Sequence, residues 1–165
     1  MKTFNEIEKF NNKLKELSAC EDAVFYCQNK TLAQAWKECE RGDWMLWLYK
    51  KINPNEVQKL VLAKGHCANT VRHLMTNEAS TRAVDAAIAF GEGKISQKEL
   101  KAAAASASAA ASASASAAYV SSDPASYAAS SVSYVSPASA SSASVKNQKE
   151  TADICRKYLQ MPELN

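Results

Sequence analysis

Residues 102–144 hold 18 Ala and 16 Ser in 43 positions, with no Gly and a single charged residue, Asp123. No other stretch restricts the fold so strongly, because alanine is the best helix former and a poor strand residue. Just before it, Ser96-Gln97-Lys98-Glu99 forms a capping box, and Ile95 with Leu100 supplies the hydrophobic staple that starts a helix. Two readings compete with helix. Ser106, Ser108, Ser112, Ser114 and Ser116 alternate with Ala at the period of a strand; a flexible linker would also be small-residue rich, but would use Gly freely. Helix is the expectation. Asp123-Pro124 and Ser136-Pro137 each read as an N-cap followed by a first-turn proline. They divide the tract into rods from Gln97 to about Val120, from Pro124 to Val135, and from Pro137 to near Leu159.

Such rods have no apolar stripe, so neighbours can approach on any side. Each buried methyl contributes only about 0.8 kcal/mol, leaving helix propensity and close dispersion contact to stabilise them. Tyr127 and Tyr134, two turns apart, are either anchors that dock the second rod or an exposed aromatic ladder for a partner. The tract lacks Leu, Ile and Phe, which disfavours a membrane span, and has no Thr row for an ice-binding face.

The whole chain, 165 residues and 17.9 kDa, is long enough for one domain burying about 70% of its unfolded surface. Five Cys without a CxxC pair, and a first twenty residues without an unbroken apolar core, point to a reducing cytoplasm. Twenty Lys and Arg against seventeen Asp and Glu are too balanced to indicate nucleic acid.

Residues 1–101 read as dense helix. Phe4, Ile7, Phe10, Leu14 and Leu17 recur at helical period, and a short helix follows from about Ala19 to Cys27. Thr31 with Gln34 caps a helix from Leu32 to Arg41. Gly42 suits a left-handed helix end and Asp43 the cap of the next helix, Trp44 to about Lys51. Asn53, Pro54 and Glu56 mark another start, with Ile52 stapled onto Val57 and the helix running to Met75. Asn77 caps a helix through Phe90 that Gly91 and Gly93 end.

Few residues group as reactive sites do. His66, Cys67 and His73 invite a metal or a Cys–His pair, but the spacing fits no zinc motif and no orienting carboxylate is set. Cys20 and Cys27 read as core residues, and Lys50, Lys51, Lys59 and Lys64 as a modest basic patch. No GxGxxG, GxxxxGK or GxSxG occurs. The most specific stretch is residues 31–52, where Trp36, Trp44 and Trp47, all the Trp of the chain, flank one helix corner. They are either a large part of a small core or a recognition surface of the kind rich in Trp, Tyr and Arg.

Thr-Leu-x-x-Ala-Trp at 31–36, followed by Cys-Glu-Arg-Gly-Asp-Trp-Met-Leu-Trp-Leu at 39–48, resembles the immunity protein family of the Imm-5 type, met in bacterial polymorphic-toxin loci and phage genomes. Gly-x-x-Ser-x-x-Glu at 93–99, a Tyr-broken Ala-rich tract and Thr-Ala-Asp-Ile-Cys-Arg at 151–156 suit that family too. The tract departs from it by carrying Ser where others have more Ala, Tyr, Asp or Arg. The resemblance implies an all-helical, non-enzymatic protein that blocks a toxin or defence effector. The residues add the expectation of stoichiometric binding without cofactor or metal.

The expectation is therefore an all-α single domain over residues 1–165, with seven to nine helices, a Trp-centred half (1–101) and an Ala/Ser-rich half (102–165). Trp36, Arg41, Asp43, Trp44 and Trp47 would form the interaction corner, with Tyr127 and Tyr134 docking or touching the partner. Small-residue helices also suit self-association. The alternative is a protein that sequesters a small nucleotide-like ligand, with Trp or Tyr on the base and Arg72 or Arg82 on phosphate. An enzyme working through Cys67 and His73 is the third reading.

Overall fold

A computed structural model describes residues 2–75, 77–113 and 142–164. Among the described residues the chain is all-α. Its helices are α1 (Lys2–Glu16), α2 (Glu21–Cys27), α3 (Leu32–Glu38), α4 (Gly42–Ile52), α5 (Val57–Asn69), α6 (Glu78–Gly91), α7 (Gln97–Ala113) and α8 (Ser142–Tyr158), with a 3-10 turn at Arg72–Leu74. No helix among the described residues is long and apolar enough to cross a membrane.

The Thr31–Gln34 box forms as the sequence requires. Gln34 N–H donates to Thr31 Oγ1 at 3.2 Å and Thr31 N–H to Gln34 Oε1 at 2.9 Å. The box at Ser96–Glu99 forms too, its reciprocal bonds being 3.3 and 2.7 Å. Asn77 Oδ1 accepts from Ala79 N–H at 2.8 Å and opens α6.

Four expectations about helix ends are corrected. Helix α3 stops at Glu38 instead of reaching Arg41, because Cys39 is extended (φ −63°, ψ 127°) and its sulfur accepts the Arg41 N–H at 3.4 Å. Asp43 does not cap α4. Arg41 holds the cap position without a side-chain bond to the helix backbone, and the Asp43 carboxylate is turned back onto the Arg41 guanidinium. Gly42 is the first residue of α4, not a left-handed terminus; it is needed because a Cβ there would lie 2.7 Å from the Thr151 carbonyl carbon. Helix α5 starts at Val57 and ends at Asn69, since Asn53 N–H closes α4 on the Tyr49 carbonyl and Thr70 Oγ1 donates to the Cys67 carbonyl at 2.7 Å. Val57 itself is exposed.

The first rod of the Ala/Ser tract is helical as far as Ala113. Leu100 packs on Val61 and Ala87, while Ala107, fully buried, seats against Ala79 and Ala83 of α6. That is close small-residue packing with little apolar area. The third rod is helical from Ser142. The second rod, with Tyr127 and Tyr134, lies outside the described residues.

Helix α8 closes the main core by laying Ala152 and Cys155, with Leu159 just past its end, among Trp36, Met45, Tyr49, Leu60 and Cys67. Polar contacts fix it in register. Asn147 Nδ2 donates to Thr70 Oγ1 at 2.8 Å, and Arg156 Nη1 to the carbonyls of Trp36 and Cys39 at 3.1 and 2.8 Å. The Tyr158 ring stacks on His66 of α5, with centroids 4.2 Å apart and planes 5° apart.

Burial holds His66 below its ordinary pKa, opposed by Glu92 and aided by Lys157. The unfolded chain therefore takes the proton more readily, so folded stability is lost as pH falls through about 6.5. The expected result is a lower Tm at pH 5.5 than at pH 7.5. His66→Gln should narrow that difference in paired thermal scans.

Candidate functional site

Helices α1 to α4 surround a cavity of about 380 Å³. Its wall is built from the sequence pattern outward. The apolar stripe of α1 contributes Phe10 and Leu14. The short α2 adds Ala23, Tyr26 and Cys27; the Thr31 box aims Leu32, Ala35 and Trp36 inward from α3; and the three-residue spacing of Trp44 and Trp47 puts both indoles on one side of α4.

Among the lining residues, polar character is confined to Ser18, the Tyr26 hydroxyl, the indole N–H groups, the thiols of Cys20, Cys27 and Cys39, and Asp43. Asp43 is already engaged. Arg41 Nε and Nη2 donate to its two carboxylate oxygens at 2.9 and 2.6 Å, and the same guanidinium lies 4.5 Å from the Trp44 ring centroid. Tyr26 meets Trp44 at 5.9 Å with a 56° tilt, within the separation at which aromatic rings attract. Lys30 lies 5.1 Å over Tyr26 and Lys51 5.8 Å over Trp47, so cations frame the aromatic rim.

The two buried thiols of this wall, Cys27 and Cys39, are protonated at neutral pH. Burial pushes Cys27 up to about 11, helped by Cys39, and burial also raises Cys39 against the bond from the Arg41 N–H. Neither has the thiolate character that nucleophilic attack needs. All five cysteines are free, and Cys20 is the exposed one, at the rim.

The loop between α1 and α2 shapes one side of the cavity through Ser18, whose φ of +59° is left-handed. Ser18 N–H donates to the Lys15 carbonyl at 3.0 Å and Ala19 N–H to the Leu14 carbonyl at 2.9 Å, the bonding of a helix end that favours Gly. Ser18→Gly is expected to raise stability by about 0.5–1 kcal/mol, read from urea midpoints.

The structure thus brings together Trp36, Asp43, Trp44 and Trp47, with Arg41 at the rim. It makes Trp36 a core residue and leaves Trp44 and Trp47 half-buried, so the corner is core and surface at once. The sequence reading missed Phe10, Leu14, Tyr26 and the Cys20–Cys27 wall. Their apolar spacing was visible, but nothing local says that α1 and α2 fold onto α3 and α4.

Arg72 and Arg82 do not line the cavity. Arg72 forms a two-pronged pair with Asp85, with bonds of 2.5 and 2.9 Å, which holds that carboxylate below its usual range. Arg82 is exposed, 3.7 Å from Glu78. His66 and His73 do not share a helix face, since α5 ends at Asn69 and His73 sits exposed on the 3-10 turn. Cys67 is fully buried and donates to the Thr151 carbonyl at 3.7 Å. Among the described residues, no group of three or more His, Cys, Asp or Glu is placed to hold a metal ion. Lys64 is buried, so the basic patch read from Lys50, Lys51, Lys59 and Lys64 is not one surface.

Comparison with family models, with curated proteins and with solved structures finds no match.

Proposed function

We propose that this chain is a non-enzymatic binding protein of a reducing cytoplasm. In this reading it neutralises a toxin or defence effector by taking one of that partner's apolar side chains into the α1–α4 cavity. One observation carries the reading: a cavity of about 380 Å³ walled by Phe10, Tyr26, Trp36, Trp44 and Trp47, whose one carboxylate is already paired with Arg41. A pocket in which an aromatic or aliphatic anchor loses all its water is where interfaces concentrate binding energy. The half-buried Trp44 and Trp47 with the Arg41 rim supply the surrounding contact.

The same volume falls within the range of about 300–1,000 Å³ typical of small-ligand sites, which favours a free apolar molecule as the second reading. A nucleotide-like ligand finds less support, because Arg41, the guanidinium at the rim, is committed to Asp43 and neither Arg72 nor Arg82 lines the cavity.

Cys20→Trp tests the site with little risk to the fold, since Cys20 is exposed, precedes α2 and makes no capping bond. The expected result is that wild-type protein retains an equimolar protein partner and the variant loses it, with an unchanged Tm. A heat-released small molecule retained only by wild type would establish the second reading. Equal recovery on both proteins would sink both.

A further inference from the structure

A second concavity, about 650 Å³, runs between α3, the start of α5 and the end of α8. Its lining includes Lys37, Lys59, Arg156 and Lys157 and no carboxylate, over an apolar floor of Trp36 and Leu159 with the exposed Met161 beside it. Trp36 also lines the aromatic cavity, so one residue borders both openings. Among the described residues neither Lys37 nor Lys157 has a carboxylate partner, and Lys157 lies 5.2 Å over the Tyr158 ring. Lys59 pairs with Glu56 at 2.7 Å, but both are about half exposed, and such a pair yields readily to a competing anion.

We propose that this groove receives an acidic polypeptide segment, one whose apolar residue enters the neighbouring cavity while its carboxylates meet Lys37, Lys59 and Lys157. The inference rests on the reading of the cavity as an anchor site and specifies the charge of the partner. Charge complementarity and the shared Trp36 wall argue for a peptide over a nucleic acid. Arg156 is the groove's one guanidinium, and it is spent on the Trp36 and Cys39 carbonyls and on Asp153, so no free planar fork remains for a phosphate. Lysine ammonium groups over an apolar floor suit carboxylates spaced along a chain.

The test uses the full chain and a fluorescein-labelled peptide of one Phe followed by four Glu, beside a Gln-substituted control and an oligothymidine of equal charge. The expected result is salt-sensitive peptide binding that weakens about tenfold or more in the Lys37→Glu/Lys157→Glu double variant, both residues being exposed. The Gln control and oligothymidine should bind more weakly than the Glu peptide. Equal binding of the Gln peptide, equal or tighter binding of oligothymidine, no peptide binding, or insensitivity to the double variant overturns the proposal. Cys20→Trp separates it from the cavity reading. Loss of the Phe contribution with the charge dependence intact supports both. Insensitivity to Cys20→Trp with the charge dependence intact leaves the groove standing and removes the anchor. Loss in Cys20→Trp without any effect of the double variant does the reverse.

Discussion

Ending the chain after Ala113 is expected to abolish cooperative melting. Helix α8 and the residue after it supply Ala152, Cys155 and Leu159, all at or below 3% exposure, to the cluster that also holds Trp36, Met45, Tyr49, Leu60 and Cys67. Without it the inner faces of α4 and α5 meet water, and Arg156 no longer satisfies the Trp36 and Cys39 carbonyls at the α3–α4 corner. Leu159 alone is a large-to-small loss of about 2–5 kcal/mol by analogy with core truncations, and a domain of this size has a net stability of only about 5–15 kcal/mol. The truncated chain should retain helical far-ultraviolet dichroism, bind a hydrophobic dye and lose its near-ultraviolet Trp signal. A sigmoidal melt matching that of the intact protein would show that α8 is not part of the cooperative unit.

The second large effect is expected from one methyl group. Gly42→Ala places a Cβ 2.7 Å from both the carbonyl carbon and the Cβ of Thr151, where α4 crosses α8. These are backbone and near-backbone atoms, so no rotamer change relieves the clash and the helices must separate. Separation also strains the bond from Cys155 Sγ to the Gly42 carbonyl, 3.6 Å in the native packing. The expected cost is about 2–4 kcal/mol, a fall in Tm on the order of 10 °C. Thr151→Ala should not rescue it, because the carbonyl carbon and Cβ remain. Urea denaturation of the single and double variants measures both. A Gly42→Ala midpoint within error of wild type would mean that the crossing is looser than 2.7 Å implies. Gly91 is the parallel case, its missing Cβ facing the Leu62 Cα at 2.7 Å.

The sequence set what is local. Helix class, the Thr31 and Ser96 boxes, the Asn77 cap and the pairing of Trp44 with Trp47 on one face all follow from short-range spacing and backbone hydrogen-bond demand. A locally plausible reading failed where a distant element intervened. Gly42 looked like a helix terminus, and Asp43 like a cap, because the Arg-Gly-Asp order fits that chemistry; what decides their roles is Thr151, more than a hundred residues on, and the Arg41 fork.

The candidate site shows the same division. That three indoles gather at one corner is written in residues 36–47. That α1 and α2 close over them to leave a cavity, and that α8 returns to set Arg156 and Lys157 beside Lys37 and Lys59, belongs to the tertiary fold alone. The physical reason is that periodicity tells each helix which face to bury but not against which partner. That choice falls to packing between segments, where a 2.7 Å approach to Gly42 or a fully buried Ala107 decides which surfaces can meet.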